Sequence, residues 1–224
     1  KLKEIQTPSG PRMLVLLVAA PTTLIKRYQQ VLEMAGLSIA SIETEILSIV
    51  RSSVPQDATP TRFLAHIGTL STSFAIVQQG TIIFTYSIPV GGLAIDRAIA
   101  SDFGFSLQQA EEYKKTYGVE KENLSGKIGK AIGPILSTIV LETKKALAFY
   151  KEKYQQEYPI EQIMLSGGSA NVPGITAFFA EQAGIEATLV NPFEIWKISD
   201  VPDEISQSAP ELGTAIGLAL KEYE

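Results

Sequence analysis

The chain has 224 residues, 45% of them hydrophobic and 19% charged, which excludes a disordered or collagen-like polymer and leaves room for one large domain or two modest ones. It has no cysteine, so disulfides, zinc ribbons and thiol nucleophiles are excluded and a reducing, cytosolic setting is expected; a lone His66 cannot build a multi-histidine metal site. The formal net charge of -5, without a Lys/Arg cluster, argues against nucleic-acid binding, which draws most of its affinity from basic side chains.

In chain order, KLKEIQTPSG has no signal-peptide core, and the apolar run at residues 13–20 is far below the roughly 20 residues of a membrane span, so it reads as a buried strand. Residues 22–35 read as a helix with Leu24, Ile25, Tyr28, Val31, Leu32 and Ala35 on one face, stopped by Gly36. A second strand and helix are expected across residues 37–54, before VPQDATPT, whose prolines mark a domain boundary. Hairpin patterning follows, with strands at residues 62–67, 73–78 and 81–88. PVGG leads into a helix at 93–103, and Ser106 with Gln109 forms a capping box for a helix running to Tyr117. A long helix is expected from about 133 to 156, ended by Pro159. A strand at 160–165, the turn SGGSANVPG, a helix at 175–183 and a strand at 185–190 come next; Leu212, Ala215, Ile216, Ala219 and Leu220 mark a closing amphipathic helix. The whole reads as an α/β chain with a mixed sheet and flanking helices.

Standard enzyme signatures are absent: SGKIGKAIG, from Ser125, lacks the spacing and the hydroxyl residue of a P-loop, and no G-x-S-x-G occurs. Two turns carry more information. In HIGTLSTSFAIV, Gly68 permits close backbone approach while Thr69, Ser71, Thr72 and Ser73 supply donors that could wrap a phosphate; alone it reads first as a hairpin needing small turn residues. In IMLSGGSANVPGI, Gly167 and Gly168 would let a base or ribose lie against backbone, with Ser169 and Asn171 as polar contacts ahead of a helix N-terminus.

These turns, PVGGLAIDRAI, the Ala110 to Lys114 stretch AEEYK and the closing PELGTAIGLAL occur in an order that resembles the second half of the actin-like ATPase superfamily, with its RNase H-like lobes. More narrowly, AEEYKKTYG, SGGSANVPG, VNPFE and ELGTAIGLAL resemble the PilM family of type IV pilus assembly proteins, which is related to FtsA. That resemblance implies two lobes with nucleotide between them. It assigns residues 1–36 to a remnant of an inserted subdomain, 37–60 to a remnant of the first lobe, and 61–224 to the second lobe with a helical part at about 93–157. The family's first phosphate hairpin would then be missing, Lys1 would mark a cut through a longer protein, and the piece would bind nucleotide weakly or not at all alone.

By the same resemblance Gly68, Thr69, Ser71 and Thr72 match the second phosphate loop, Glu111 and Lys114 the ribose-contacting acid and base, and Gly167, Gly168, Ser169 and Asn171 the adenosine loop. Without it, Glu111 and Lys114 read as an ordinary solvated helix pair. The implied cofactor is ATP. The family's phosphate loop usually starts with an Asp that organises Mg²⁺, whereas this chain has His66, which adds no negative charge for a hard cation, so hydrolysis is not expected and no metal ligand or catalytic residue is assigned. FtsA-like proteins end in a membrane-binding amphipathic helix; this sequence ends in KEYE after its core helix, which favours the PilM reading. The implied partner is a cytoplasmic peptide of a PilN-like inner-membrane protein, received in a groove of which residues 13–18 and 24–35 would form one wall, with other pilus platform proteins or a motor beyond it. The location is then cytoplasmic, peripheral to the inner membrane without insertion, and self-association stays open. An active ATPase or sugar-kinase-type phosphoryl transferase, an FtsA-type cell-division protein, and a relative that has lost nucleotide are the competing readings.

Overall fold

The computed structural model describes residues 3–7, 10–55, 60–120, 126–154 and 159–221; the middle of the expected boundary loop 54–61, at 56–59, the end of the long helix at 155–156, Ser125 and most of KEYE lie outside them. It opens with a two-stranded antiparallel hairpin, Lys3–Thr7 (β1) and Gly10–Leu14 (β2), which the short polar sequence does not announce. The strand expected at 13–20 ends at Leu14, and residues 15–21 have no regular structure. An apolar run becomes a buried strand only beside a sheet that accepts it; here Leu17 is 88% exposed. Thr22–Met34 (α1) is helical as its periodicity requires, yet none of its residues is buried. The strand expected after Gly36 is absent, and Glu45–Ser53 (α2) follows directly.

The main sheet consists of Thr61–Ile67 (β3), Thr72–Gln78 (β4), Thr81–Ile88 (β5), Ile160–Ser166 (β6) and Glu186–Leu189 (β7), in the order β5-β4-β3-β6-β7. The meander β3, β4 and β5 is antiparallel, whereas β3 with β6 and β6 with β7 are parallel. Strand alternation sorts the side chains onto two faces. Phe63, Ala65, Phe74 and Ile76 point to the larger core, against Gly92–Phe103 (α3), Lys127–Tyr154 (α5) and Ile175–Ala183 (α6). Leu64, Ala75, Val77 and Ile82 point to the smaller one, with Ile49 and Val50 of α2 and Val190. Leu107–Tyr117 (α4) packs beside α3, opened by the expected capping box: Gln109 N–H donates to Ser106 Oγ (3.2 Å) and Ser106 N–H to Gln109 Oε1 (3.0 Å).

The long helix α5 starts earlier than expected because Gly129, Gly133 and Pro134 weaken the local signal while Ile128, Ile132, Leu136 and Ile139, all fully buried, hold the stretch in the core. Each such side chain contributes about 1.5–3 kcal/mol. Tertiary burial outweighs a glycine penalty of about 1 kcal/mol per residue. The C-terminal region is more broken than its periodicity suggests, with Pro192–Ile195 (α7), Asp203–Gln207 (α8), a 3-10 turn at Ala209–Glu211 and Gly213–Ala219 (α9).

α9 lies on α2, where Ser48 Oγ donates to the Thr214 carbonyl (2.6 Å) and Arg51 Nη1 to the Gly217 carbonyl (2.6 Å). A methyl at Gly217 would run into the Ser48 carbonyl. Gly→Ala inside a helix normally gains about 1 kcal/mol, but overpacking costs about 1–3 kcal/mol. Gly217→Ala is therefore expected to lower stability by about 1–2 kcal/mol, read as a lower urea midpoint; an unchanged or higher midpoint would refute this packing.

Candidate functional site

The parallel register of β3 and β6 sets His66 opposite Ser166. Both strands therefore leave the sheet side by side, and the turn at 68–71 and the loop at 167–171 open onto one crevice at the carboxyl ends of parallel strands, where ligands of open α/β sheets bind. Ser166 Oγ donates its single proton to the Pro210 carbonyl (3.1 Å), so at 3.2 Å it accepts from His66 Nδ1–H. Nε2 is left toward the cleft, 3.8 Å from Glu45 Oε1. Burial pushes the imidazole below the ordinary histidine value, opposed by the Glu45 carboxylate.

Close backbone packing explains the glycines. Gly167 has φ +93, and a Cβ there would lie 2.5 Å from the Ile67 carbonyl oxygen. The N-terminus of α3 presses on the phosphate-type turn: Gly92 N–H donates to the Gly68 carbonyl (2.8 Å) and Leu93 N–H to the Thr69 carbonyl (2.9 Å). A Cβ at Gly91 would lie 2.5 Å from the Gly68 carbonyl oxygen, and one at Gly92 would meet Ser169 Oγ. The Gly91-Gly92 pair is thus part of the site, although in the sequence it reads only as a lead into a helix.

A cleft of about 410 Å³ results, and seven of the expected residues line it: Gly68, Thr69, Glu111, Lys114, Gly167, Gly168 and Ser169. The other three turn elsewhere. The Ser71 carbonyl accepts from Gly68 N–H (3.0 Å) and closes the turn. Thr72 Oγ1 donates to the Val90 carbonyl (2.7 Å), and Asn171 Nδ2 donates to Glu211 Oε1 (3.2 Å). Glu111 and Lys114 share a face without pairing to each other. Lys114 Nζ lies 2.7 Å from Asp96 Oδ1, and both residues are buried, at 5% and 8% exposure. Half-exposed Glu111 pairs with Lys115 (2.9 Å), which holds its carboxyl below the usual carboxylate range. Asp96, Glu45, Lys115, Glu211 and Thr214 also line the cleft; all but Glu45 lie within the quoted motifs, but spacing along the chain does not show that α3, α2, α4, the 3-10 turn and α9 bring them to this one wall. Among the described residues no group of three or more His, Asp or Glu is placed to hold a metal ion, and no helix is long and apolar enough to cross a membrane.

A family model described as type IV pilus assembly protein PilM matches residues 4–223. The ethanolamine utilization protein EutJ of Escherichia coli (strain K12) is 26% identical over 152 residues, 68% of this chain and 48% of that protein. Among solved structures, a PilM-PilN type IV pilus biogenesis complex superposes with a TM-score of 0.72 at 24% identity, covering 89% of this chain and 58% of that one. MreB 5 of Spiroplasma citri bound to AMPPNP gives a TM-score of 0.62 at 18% identity, with 88% and 64% coverage. The fold is that of the actin-like ATPases, and the chain spans about half the length of the curated relatives it matches.

Removing one partner of the buried pair strands the other charge. Lys114→Met is expected to cost about 3–5 kcal/mol, whereas the double variant Lys114→Met/Asp96→Leu recovers most of it. Urea denaturation of both checks this, and equal loss in the two would show that the charges are not coupled.

Proposed function

The chain belongs to the type IV pilus assembly protein PilM family, and from this premise we propose that it is an actin-like, nucleotide-binding scaffold with binding rather than turnover as its chemistry. The observation that carries this reading is the convergence on one cleft of the 68–71 turn, the Glu111 and Lys114 face of α4 and the Gly167-Gly168-Ser169 loop. The residues fit a nucleotide. Backbone amides of the turn and loop are suited to phosphate oxygens, and Gly168 keeps a wall open: the atoms nearest to a Cβ there belong to the Glu211 side chain, at 3.6 Å or more. When bound, ATP would supply the phosphates and any Mg²⁺ that travels with them, as is usual for a cation held mainly through substrate oxygens. In this reading residues 61–224 form the second lobe, 37–60 belong to the first lobe and 1–36 to an inserted subdomain.

The partner is a cytoplasmic peptide of a PilN-like inner-membrane protein. Its support is the apolar surface on the N-terminal segments, where Leu17, Leu24, Tyr28, Val31 and Met34 are exposed. Such a patch marks a surface for another polypeptide. The protein would work in the cytoplasm, attached to the inner membrane through that partner and coupling it to other platform proteins or a motor.

Calorimetry with ATP tests the cleft. Weak but saturable binding is expected of this chain by itself, lost in Gly168→Trp, whose indole would fill the adenosine wall; robust Mg²⁺-dependent phosphate release would instead make the protein an ATPase. A second measurement tests the partner surface. Val31→Glu, at an exposed position, should change stability by no more than about 0.5 kcal/mol yet weaken binding of the PilN-like peptide at least about tenfold in fluorescence anisotropy. Unchanged peptide affinity would remove α1 from the interface.

A further inference from the structure

Resting on the nucleotide reading, we propose that His66 is itself a phosphate-binding residue: its Nε2 takes up a proton from solvent as the ligand's phosphate enters and donates that N–H to a phosphate oxygen. Nδ1 is committed to Ser166, so Nε2 is the atom available to a ligand. It also lies beside the phosphate turn, since a Cβ built on Gly68 would sit 3.6 Å from Nε2. An anion held by the amides of that turn is therefore within reach of the imidazole.

Charge in the cleft makes this proton necessary. Its described lining carries the carboxylates Glu45, Asp96, Glu111 and Glu211 against two ammonium groups, Lys114 and Lys115. Lys114 is engaged by Asp96 and Lys115 by Glu111. A phosphate thus enters a site with an excess of negative charge, and His66 is the remaining described lining group that can become a cation. The ring has Glu45 from α2, Ser166 from β6 and the backbone of Gly68 and Gly167 beside it, while Glu211 and Thr214 line the same cleft and Ser73 is its register partner on β4. Glu45 would stabilise the imidazolium, while the phosphate supplies the second negative neighbour that the free site lacks.

The sign follows from linkage. Burial holds the free imidazole below its ordinary value, and a bound phosphate raises it. Affinity is then level below the free-state midpoint, falls as pH rises between the two midpoints, and is level again above the bound one. Each unit of separation is about tenfold in affinity.

The chain has a single histidine, so its imidazole NMR signals need no assignment by mutation. The wild-type chain is titrated with pH in EDTA, free and with saturating ATP, inorganic pyrophosphate or adenosine. ATP and pyrophosphate are expected to raise the His66 midpoint by about one unit or more, with adenosine leaving it in place. Calorimetry should then show ATP affinity falling about tenfold with rising pH, a fall larger than in His66→Asn, where only the nucleotide's own ionisation contributes. A midpoint that stays within about 0.3 unit while backbone amides of the 68–71 turn report bound ATP overturns the proposal alone. If no amide responds to ATP at any pH, the nucleotide reading falls and takes this one with it.

Discussion

The parallel pairing of β3 with β6, in the register that sets His66 against Ser166, is the constraint on which the rest of the site depends. These strands are separated by nearly a hundred residues, and only the sheet makes their carboxyl ends neighbours. Once they are, Gly167 must pass so close to the Ile67 carbonyl that no side chain fits, and the Ser166 hydroxyl must bridge His66 to Pro210. A one-residue slip would turn every one of these groups to the opposite face. The β3–β6 register therefore shapes the cleft, and the loops follow it.

The second consequence concerns where the anion-binding capacity resides. A helix N-terminus commonly offers free amides to phosphate, but α3 uses Gly92 and Leu93 N–H on the carbonyls of the turn beneath it. The helix buttresses the turn, and within the turn and the 167–171 loop the N–H groups of Gly68, Gly167 and Ala170 are likewise bonded to carbonyls, which fixes the backbone around the cleft. Its Asp96, one turn further on, holds Lys114 down in the wall of the cleft. Two buried charges in contact are a weak source of net stability but a strong constraint on position, so the α3–α4 pair presents Glu111 and Lys115 at a defined height above the glycines.

The N-terminal segments obey a different balance. The α1 stripe has helical spacing and the 13–20 run has strand composition, yet no residue of α1 is buried, and residues 16–19 only border a pocket beside β4, β5 and the start of α2 without joining the sheet. Residues 43–53 behave otherwise: Glu43 receives Arg51 at 2.8 Å and Lys221 at 3.0 Å, which ties the segment leading into α2 to the end of α9 and makes it integral to the sheet's smaller face. Local pattern decided the helicity of α1; long-range partners decided what was buried.

Much of the architecture was legible along the chain. The β3, β4 and β5 meander, the capping box at Ser106, the α6 span and the two glycine-bearing turns depend on neighbours within a few residues, and local chemistry dictates them. Seven of the ten expected site residues meet in the cleft: each turn or helix face keeps its own residues together, but the β3–β6 pairing brings the two turns to one place. Thr72 and Asn171 escaped because each found a closer acceptor, Val90 or Glu211, that no spacing rule reveals. The early start of α5 required knowing that Ile128 and Ile132 would be buried, which outweighs two glycines and a proline. By itself the sequence determined which segments turn, cap and alternate. Only the tertiary structure decided that Glu45, Gly92, Asp96 and Glu211 share a wall with His66, because charge pairing and close backbone contact act through space between residues far apart in the chain.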